Sequence, residues 1–174
     1  ANVGTGDIKG FDLEFKALVT ENLEVGMNFN DIQDADVSAP SQYPDSRSET
    51  GFVDSGLAAS TPLPLFADQS YSLYAKYSGI ELLGGSGALR LQHSNVGKSL
   101  NQLTDGFASP RLSQGDYDVT DVIFSYQNEN WGARLYVNNI SDERGITYED
   151  SQDFDQAFGQ NSSNVIRPRN YGVS

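Results

Sequence analysis

The chain has 174 residues, enough for one domain with a sizeable core, and a formal net charge of −13. That charge argues against nucleic acid as a partner, because phosphate binding needs clustered lysine and arginine. The absence of cysteine excludes a disulfide framework and thiolate chemistry. No stretch approaches about 18 consecutive apolar residues, which excludes a transmembrane helix.

Short and long gaps alternate between segments in which apolar and polar residues also alternate. Six strands are predicted, and a seventh begins near Arg169; the six cover 9–19, 22–31, 68–78, 87–96, 118–127 and 131–140. The gaps after the first, third and fifth strands are short, whereas the others are long, polar and acidic. Tight turns at one end and long loops at the other are typical of an antiparallel outer-membrane β-barrel, with the loops outside the cell.

The first two predicted strands alternate most clearly. One face of the first strand carries apolar residues and the other carries charges: Phe11, Leu13, Phe15, Ala17 and Val19 against Asp12, Glu14 and Lys16. The second repeats this pattern after a tight hairpin at 20–22: Leu23, Val25, Met27 and Phe29 against Glu24, Gly26, Asn28 and Asn30. If the apolar face meets lipid, the charged face meets a water-filled lumen, and a slip of one residue would place charges in lipid.

The later strands are less regular. The sixth alternates well and is expected to begin with Trp131 in an interfacial aromatic belt. The third and fourth alternate weakly, and Ile123 interrupts the polar face of the fifth. Half-buried sheets of soluble proteins alternate in the same way, so periodicity alone leaves a soluble β-barrel or sandwich open.

Four segments, in order, resemble parts of TonB-dependent outer-membrane receptors. Residues 6–14 (GDIKGFDLE) resemble the family's "IKGFELE" strand, and residues 63–70 (LPLFADQS) resemble its passage from a long loop into the next strand. Residues 136–144 (YVNNISDER) are similar to its "V-x-N-L-x-D-E-R" segment. Residues 167–174 (RPRNYGVS) resemble the start of its last strand, "P-R-x-Y-G".

The resemblance implies a barrel of about 22 strands around an N-terminal plug domain. Residues 1–174 would then form roughly its last seven strands, without the plug domain and the TonB box. The implied partners are outer-membrane lipid and lipopolysaccharide, the receptor's own plug domain and remaining strands, and the TonB complex through that box. The implied function is energy-coupled import of a ferric siderophore, haem, cobalamin or oligosaccharide into a Gram-negative cell.

Two groups of residues are candidates for binding. The long loops cover 33–67, 97–117 and 141–168, and the last interleaves carboxylates with aromatic rings that suit a sugar or a cationic chelate. Its candidate substrate-binding residues are Tyr148, Asp150, Asp153, Phe154, Asp155 and Phe158. Residues expected to face the lumen and plug are Asp12, Glu14, Lys16, Arg90, Arg134 and Tyr136. Alternatively, the acidic loops only solvate the surface, with divalent ions bridging them to lipopolysaccharide.

No catalytic, cofactor or metal site is predicted. Asp34 with Asp36, and Asp153 with Asp155, suggest calcium, but neither pair fits an EF-hand loop. The single histidine, His93, has no second histidine or cysteine to complete a zinc site. No G-x-S-x-G nucleophile elbow occurs, so we expect no enzyme. The alternatives to a receptor are a soluble β-barrel ligand-binding module, a passive porin and a surface adhesin.

Overall fold

The computed structural model describes residues 4–40, 42–44, 49, 51–54, 57–103, 110–150 and 162–174. Within those ranges the secondary structure is all β, in eleven strands. Their bounds are β1 Gly4–Leu18, β2 Leu23–Pro40, β3 Gln42–Pro44, β4 Phe52–Asp54, β5 Gln69–Leu82, β6 Gly85–Leu100, β7 Ser113–Gln127, β8 Gly132–Asn138, β9 Ile146–Asp150, β10 Ser162–Val165 and β11 Asn170–Val173. The described part of the chain contains no helix long and apolar enough to span a membrane.

One antiparallel sheet contains all seven predicted strands. Its order is β1-β2-β5-β6-β7-β8-β11, so strands that follow one another along this path are also neighbours in the sheet. The β9–β10 hairpin branches from β7, and β3 pairs with β4 in a separate small hairpin. The structure therefore confirms the predicted all-β antiparallel fold and the up-and-down order.

Local hydrogen bonds close the short turns. Between β1 and β2, Thr20 Oγ1 accepts the Leu23 N–H at 3.0 Å. Between β7 and β8, Asn128 Oδ1 accepts the Asn130 N–H at 2.9 Å, as in an Asx turn, and also the Trp131 N–H at 2.9 Å. Between β5 and β6, Leu83 and Gly84 have φ angles of 48° and 73°, the positive values that two-residue hairpins require. All three short turns consequently lie at the same end of the sheet.

The strands extend further into the long loops than predicted. β2 continues to Pro40, β6 continues to Leu100, and β7 begins at Ser113. The β9–β10 hairpin also lies within the predicted 141–168 loop. These extensions are stabilised by backbone pairing. In the β2 extension the outward face carries Asp34 and Asp36, so it does not continue the apolar face of the predicted strand. The loop boundaries placed at residues 33, 97 and 117 were therefore wrong by several residues.

The bridging segment, residues 57–68, continues the ladder between β2 and β6 without being a regular strand. On one side the Ile32 N–H donates to the Asp68 carbonyl at 2.8 Å. On the other side the Leu65 N–H donates to the Leu100 carbonyl at 2.8 Å. Because both neighbours provide hydrogen-bond partners, the wall of the sheet continues beyond the end of β5.

The register separates the sheet into an apolar face and a polar face, as the alternation predicted. The apolar face includes Leu13, Phe15, Met27, Phe29, Leu73, Leu89, Leu91, Phe124, Leu135 and Val173. Val37 and Tyr126 are the only buried hydrophobic residues in the part of the chain that the structure describes. The apolar face is therefore exposed, and it requires a non-aqueous neighbour.

The apolar band crosses the strands on a slant. The edge of the band nearest the long loops lies at a different height on each strand. On β1 the last apolar residue of the band is Phe11, which pairs with Asp31 of β2. On β6 the last apolar residue of the band is Leu91, because the next outward pair is His93 with Thr120. A row is here a line of residues on one face of the sheet that pair across the strands. From β1 to β8 the edge moves toward the short turns by three rows, about 20 Å, across a sheet width of about 24 Å. A band parallel to a membrane therefore requires strands tilted by about 40°, within the range of outer-membrane barrels.

Candidate functional site

A network of charged and aromatic side chains crosses four strands of the polar face. Lys16 Nζ lies 3.2 Å from Glu24 Oε2, and the Tyr74 hydroxyl donates to Glu24 Oε1 at 2.8 Å. The Arg90 guanidinium lies 4.1 Å from the centroid of the Tyr74 ring, and its Nη2 donates to Gln92 Oε1 at 3.0 Å. The polar face is therefore an ordered hydrogen-bonded wall.

Two glycines make room for aromatic rings on this wall. A side chain at Gly26 would collide with the ring of Tyr74, its cross-strand partner. A side chain at Gly172 would likewise collide with Tyr136, which lies opposite it on β8. Each ring therefore lies across a neighbouring strand, as in the aromatic–glycine pairs that pin strand register.

All six residues predicted to face the lumen lie on the polar face. The register places Asp12, Glu14 and Lys16 on β1, Arg90 on β6, and Arg134 and Tyr136 on β8. Asp12 Oδ1 accepts a hydrogen bond from Asn30 Nδ2 at 2.6 Å. Arg134 lies 6.0 Å from the centroid of the Tyr136 ring. Their predicted contact with a plug remains a prediction.

Of the predicted loop site, the structure describes Tyr148 and Asp150, both on β9. Tyr148 is 40% exposed and lies opposite Asn164 of β10. The other four candidates, Asp153, Phe154, Asp155 and Phe158, lie outside the described residues. The described part of the site is thus an aromatic ring and a carboxylate on an extracellular hairpin.

Buried polar side chains tie this hairpin to the neighbouring loop. Asn101 Nδ2 donates to the Glu149 carbonyl at 3.1 Å, and the Glu149 N–H donates to Gln114 Oε1 at 3.0 Å. The Ser163 hydroxyl donates to Glu149 Oε2 at 2.7 Å. Asn101, Gln114 and Glu149 are all buried. Glu149, which lies between the candidates Tyr148 and Asp150, is therefore part of the structural connection between two loops.

Replacing Gln114 by leucine is expected to loosen the β9–β10 hairpin, because the buried Glu149 N–H loses its acceptor. Local opening should increase on the order of tenfold, measured as the rate at which chymotrypsin cleaves after Tyr148 in the intact receptor. Gln127→Leu, at the exposed opposite end of β7, is the matched control. An unchanged cleavage rate in the Gln114 variant would show that the hairpin is held by other contacts.

Asp34 and Asp36, the pair that the sequence suggested for calcium, lie beside a lysine on β1. Asp34 Oδ2 lies 3.2 Å from Lys9 Nζ. Burial and the nearby Asp34 carboxylate raise the pKa of Asp36. Among the residues that the structure describes, no three potential metal ligands of the histidine, cysteine or carboxylate type are grouped together.

Asn139 is the centre of the turn that follows β8. It is 2% exposed and has a φ of 52°. Its Nδ2 donates to the carbonyls of Glu143 at 2.9 Å and Arg167 at 3.0 Å, while its Oδ1 accepts the Glu143 N–H at 2.9 Å. Asp142 Oδ1 accepts the Arg169 N–H at 2.9 Å. The 136–144 motif therefore positions the approach to β11, and Asp142 is a structural acceptor rather than a free loop charge.

A profile of the family described as "TonB dependent receptor-like, beta-barrel" matches residues 1–140. The chain belongs to this family. TonB-dependent receptor barrels are outer-membrane proteins, so the predicted membrane barrel and the general role in reception and transport are confirmed at the level of the family. No curated protein and no solved structure matched the chain.

Membership of the TonB-dependent receptors assigns the two faces of the sheet. The apolar face meets lipid along its slanted band, and the polar face lines the lumen. Residues 141–174 lie beyond the match, so the likeness of 167–174 to the family's last strand rests on the sequence pattern and on its pairing as β11 with β8.

Proposed function

We propose that this chain forms part of a receptor that imports a scarce or bulky nutrient with energy from the TonB complex, without chemistry on its ligand. The polar network of Lys16, Glu24, Tyr74 and Arg90 carries the proposal, because such a wall suits polar contacts with material inside the lumen. The linked loops above it provide a mouth in which a ligand is held. The plug domain and the TonB box are the partners that this function requires.

The ligand classes are a ferric siderophore, haem, cobalamin and an oligosaccharide. Tyr148 and Asp150 suit a sugar or a cationic chelate, because an aromatic ring stacks on apolar faces and a carboxylate accepts hydrogen bonds. An anionic ferric catecholate is disfavoured, since it would require lysine or arginine in the acidic loops.

The first test compares the host's production of the receptor under iron starvation with its production on polysaccharide in iron-replete medium. Induction by iron starvation would support a ferric chelate or haem, and induction by a glycan would support an oligosaccharide. The nutrient so identified then serves as the uptake probe. Its import should stop when the TonB complex is deleted, and import that continues unchanged would contradict energy coupling and favour a passive porin.

Within that assay, Tyr148→Ala is expected to weaken uptake at low ligand concentration by about two- to tenfold, because a stacking ring contributes about 0.5–1.5 kcal/mol. Tyr148→Phe keeps the ring and should retain most of the uptake. If the alanine variant imports as well as the unmodified receptor, the β9–β10 hairpin is not part of the ligand site.

A further inference from the structure

Three cations line one concavity on the polar face. Lys76, Arg90 and Arg134 surround a space of about 460 Å³, together with the polar side chains of Gln92 and Ser125. That volume lies in the range of small-ligand sites. The whole chain contains 11 lysine and arginine residues against 24 acidic ones. The three cations therefore give this concavity a charge opposite in sign to the net charge of the chain.

No carboxylate of the described residues forms an ion pair with these three cations. Glu24 lies directly opposite Lys76, but its two oxygens are engaged by Lys16 and by the Tyr74 hydroxyl. Asp121, on β7 beside Arg90, accepts the Asn139 N–H at 2.8 Å. The Glu24 carboxylate therefore balances Lys76 only in part, because it is shared with Lys16, and Arg90 and Arg134 form no ion pair with the described carboxylates.

The wall also orients the cations. Arg90 is held over the Tyr74 ring and against Gln92, which fixes the plane of its guanidinium. Lys76 and Arg90 are direct cross-strand partners, and Arg134 lies two strands further on and one row nearer the short turns. Because the strands are tilted by about 40°, this one-row offset leaves Arg134 at nearly the same depth in the membrane as Lys76 and Arg90. The three cations thus face the lumen at one level.

We propose that this concavity is a carboxylate-binding site in the lumen. Guanidinium and ammonium groups form charge-assisted hydrogen bonds with carboxylates, and an oriented arginine with a second arginine and a lysine suits more than one carboxylate group. The proposal rests on the proposed function only for the placement of the polar face in a lumen. The carboxylates come either from a soluble acid in the lumen or from acidic side chains of the receptor's own polypeptide.

The test is zero-length cross-linking at Lys76 in the intact purified receptor. A carbodiimide activates a carboxylate, the Lys76 amine attacks the activated carbon, and an amide forms with release of a urea. Peptide mass spectrometry then identifies what is joined to Lys76, in the absence and presence of isotope-labelled succinate. Lys9 and Lys98, which pair with Asp34 and Asp116, are the reference lysines.

Two results support the site and separate the sources of the carboxylate. A bond from Lys76 to an acidic side chain other than Glu24 identifies the receptor's own polypeptide. Labelled succinate joined to Lys76 in preference to the reference lysines identifies a soluble acid. In either case Arg134→Gln should lower the yield at Lys76 on the order of tenfold.

Two other results would overturn the proposal. In the first, Lys76 forms no amide or joins only Glu24, although Lys16 joins Glu24, which shows that the reaction worked. In the second, the yield at Lys76 does not change in Arg134→Gln and Arg90→Gln. Because the readout does not involve transport, neither result depends on whether import requires the TonB complex.

Discussion

Replacing Leu13 by arginine is expected to destabilise the assembled barrel by about 1–3 kcal/mol, because arginine costs about 2–4 kcal/mol at the middle of the bilayer and less toward its edge. Leu13 lies on the apolar face, pairs with Phe29 across β1 and β2, and is 47% exposed in the chain itself. The substitution therefore places a charge where the slanted band meets lipid. We expect most of the variant to remain unassembled.

The matched control is Asp12→Asn on the opposite face of the same strand. Asparagine keeps an oxygen that accepts the hydrogen bond from Asn30, and it remains in water, so assembly should be nearly normal. The measurement is the yield of heat-modifiable barrel on semi-native gels. Equal yields of the two variants would contradict the assignment of the faces.

Replacing Asn139 by alanine is expected to destabilise the barrel by about 3–4 kcal/mol. The change removes hydrogen bonds to Glu143 and Arg167 inside a site that is 2% exposed, and leaves their polar backbone groups without partners. It also requires alanine to adopt a φ of 52°, which glycine and asparagine tolerate better. The measurement is the temperature at which the folded band disappears on semi-native gels.

Two further variants separate the causes. Asn139→Gly relieves the backbone strain but lacks the side-chain bonds, and should be less destabilised than alanine. Asn139→Asp keeps the acceptor for the Glu143 N–H and loses the donor to Arg167. Equal melting of the alanine variant and the unmodified receptor would show that the approach to β11 does not depend on this turn.

Most of the sheet was predictable from a period of two. Apolar and polar residues alternate along β1 and β2 because one face of these strands meets an apolar environment and the other meets water. A strand in that position can be recognised from its sequence. The extension of β2 to Pro40 was not predictable, because beyond Asp31 its outward face is no longer apolar. There the backbone pairing of Lys9 with Asp34 sustains the strand.

The candidate site was predictable only as a set of residues. Alternation placed Lys16, Arg90 and Arg134 on one face, but the concavity depends on which rows the register aligns. The hydrogen bond from Asn101 to the Glu149 carbonyl joins residues 48 positions apart, and no local sequence pattern indicates such a contact. The role of Asn139 could be suspected from its motif, but its bond to Arg167 needs the folded chain.

The bridging segment has a consequence for the path of a solute. Residues 57–68 take hydrogen bonds from β2 and donate them to β6, so no row of unpaired backbone groups opens between these strands above β5. A solute inside the barrel therefore meets paired backbone, rather than a gap between strands, along the described residues of this side. On this side, the paired backbone favours movement along the strands over passage between them.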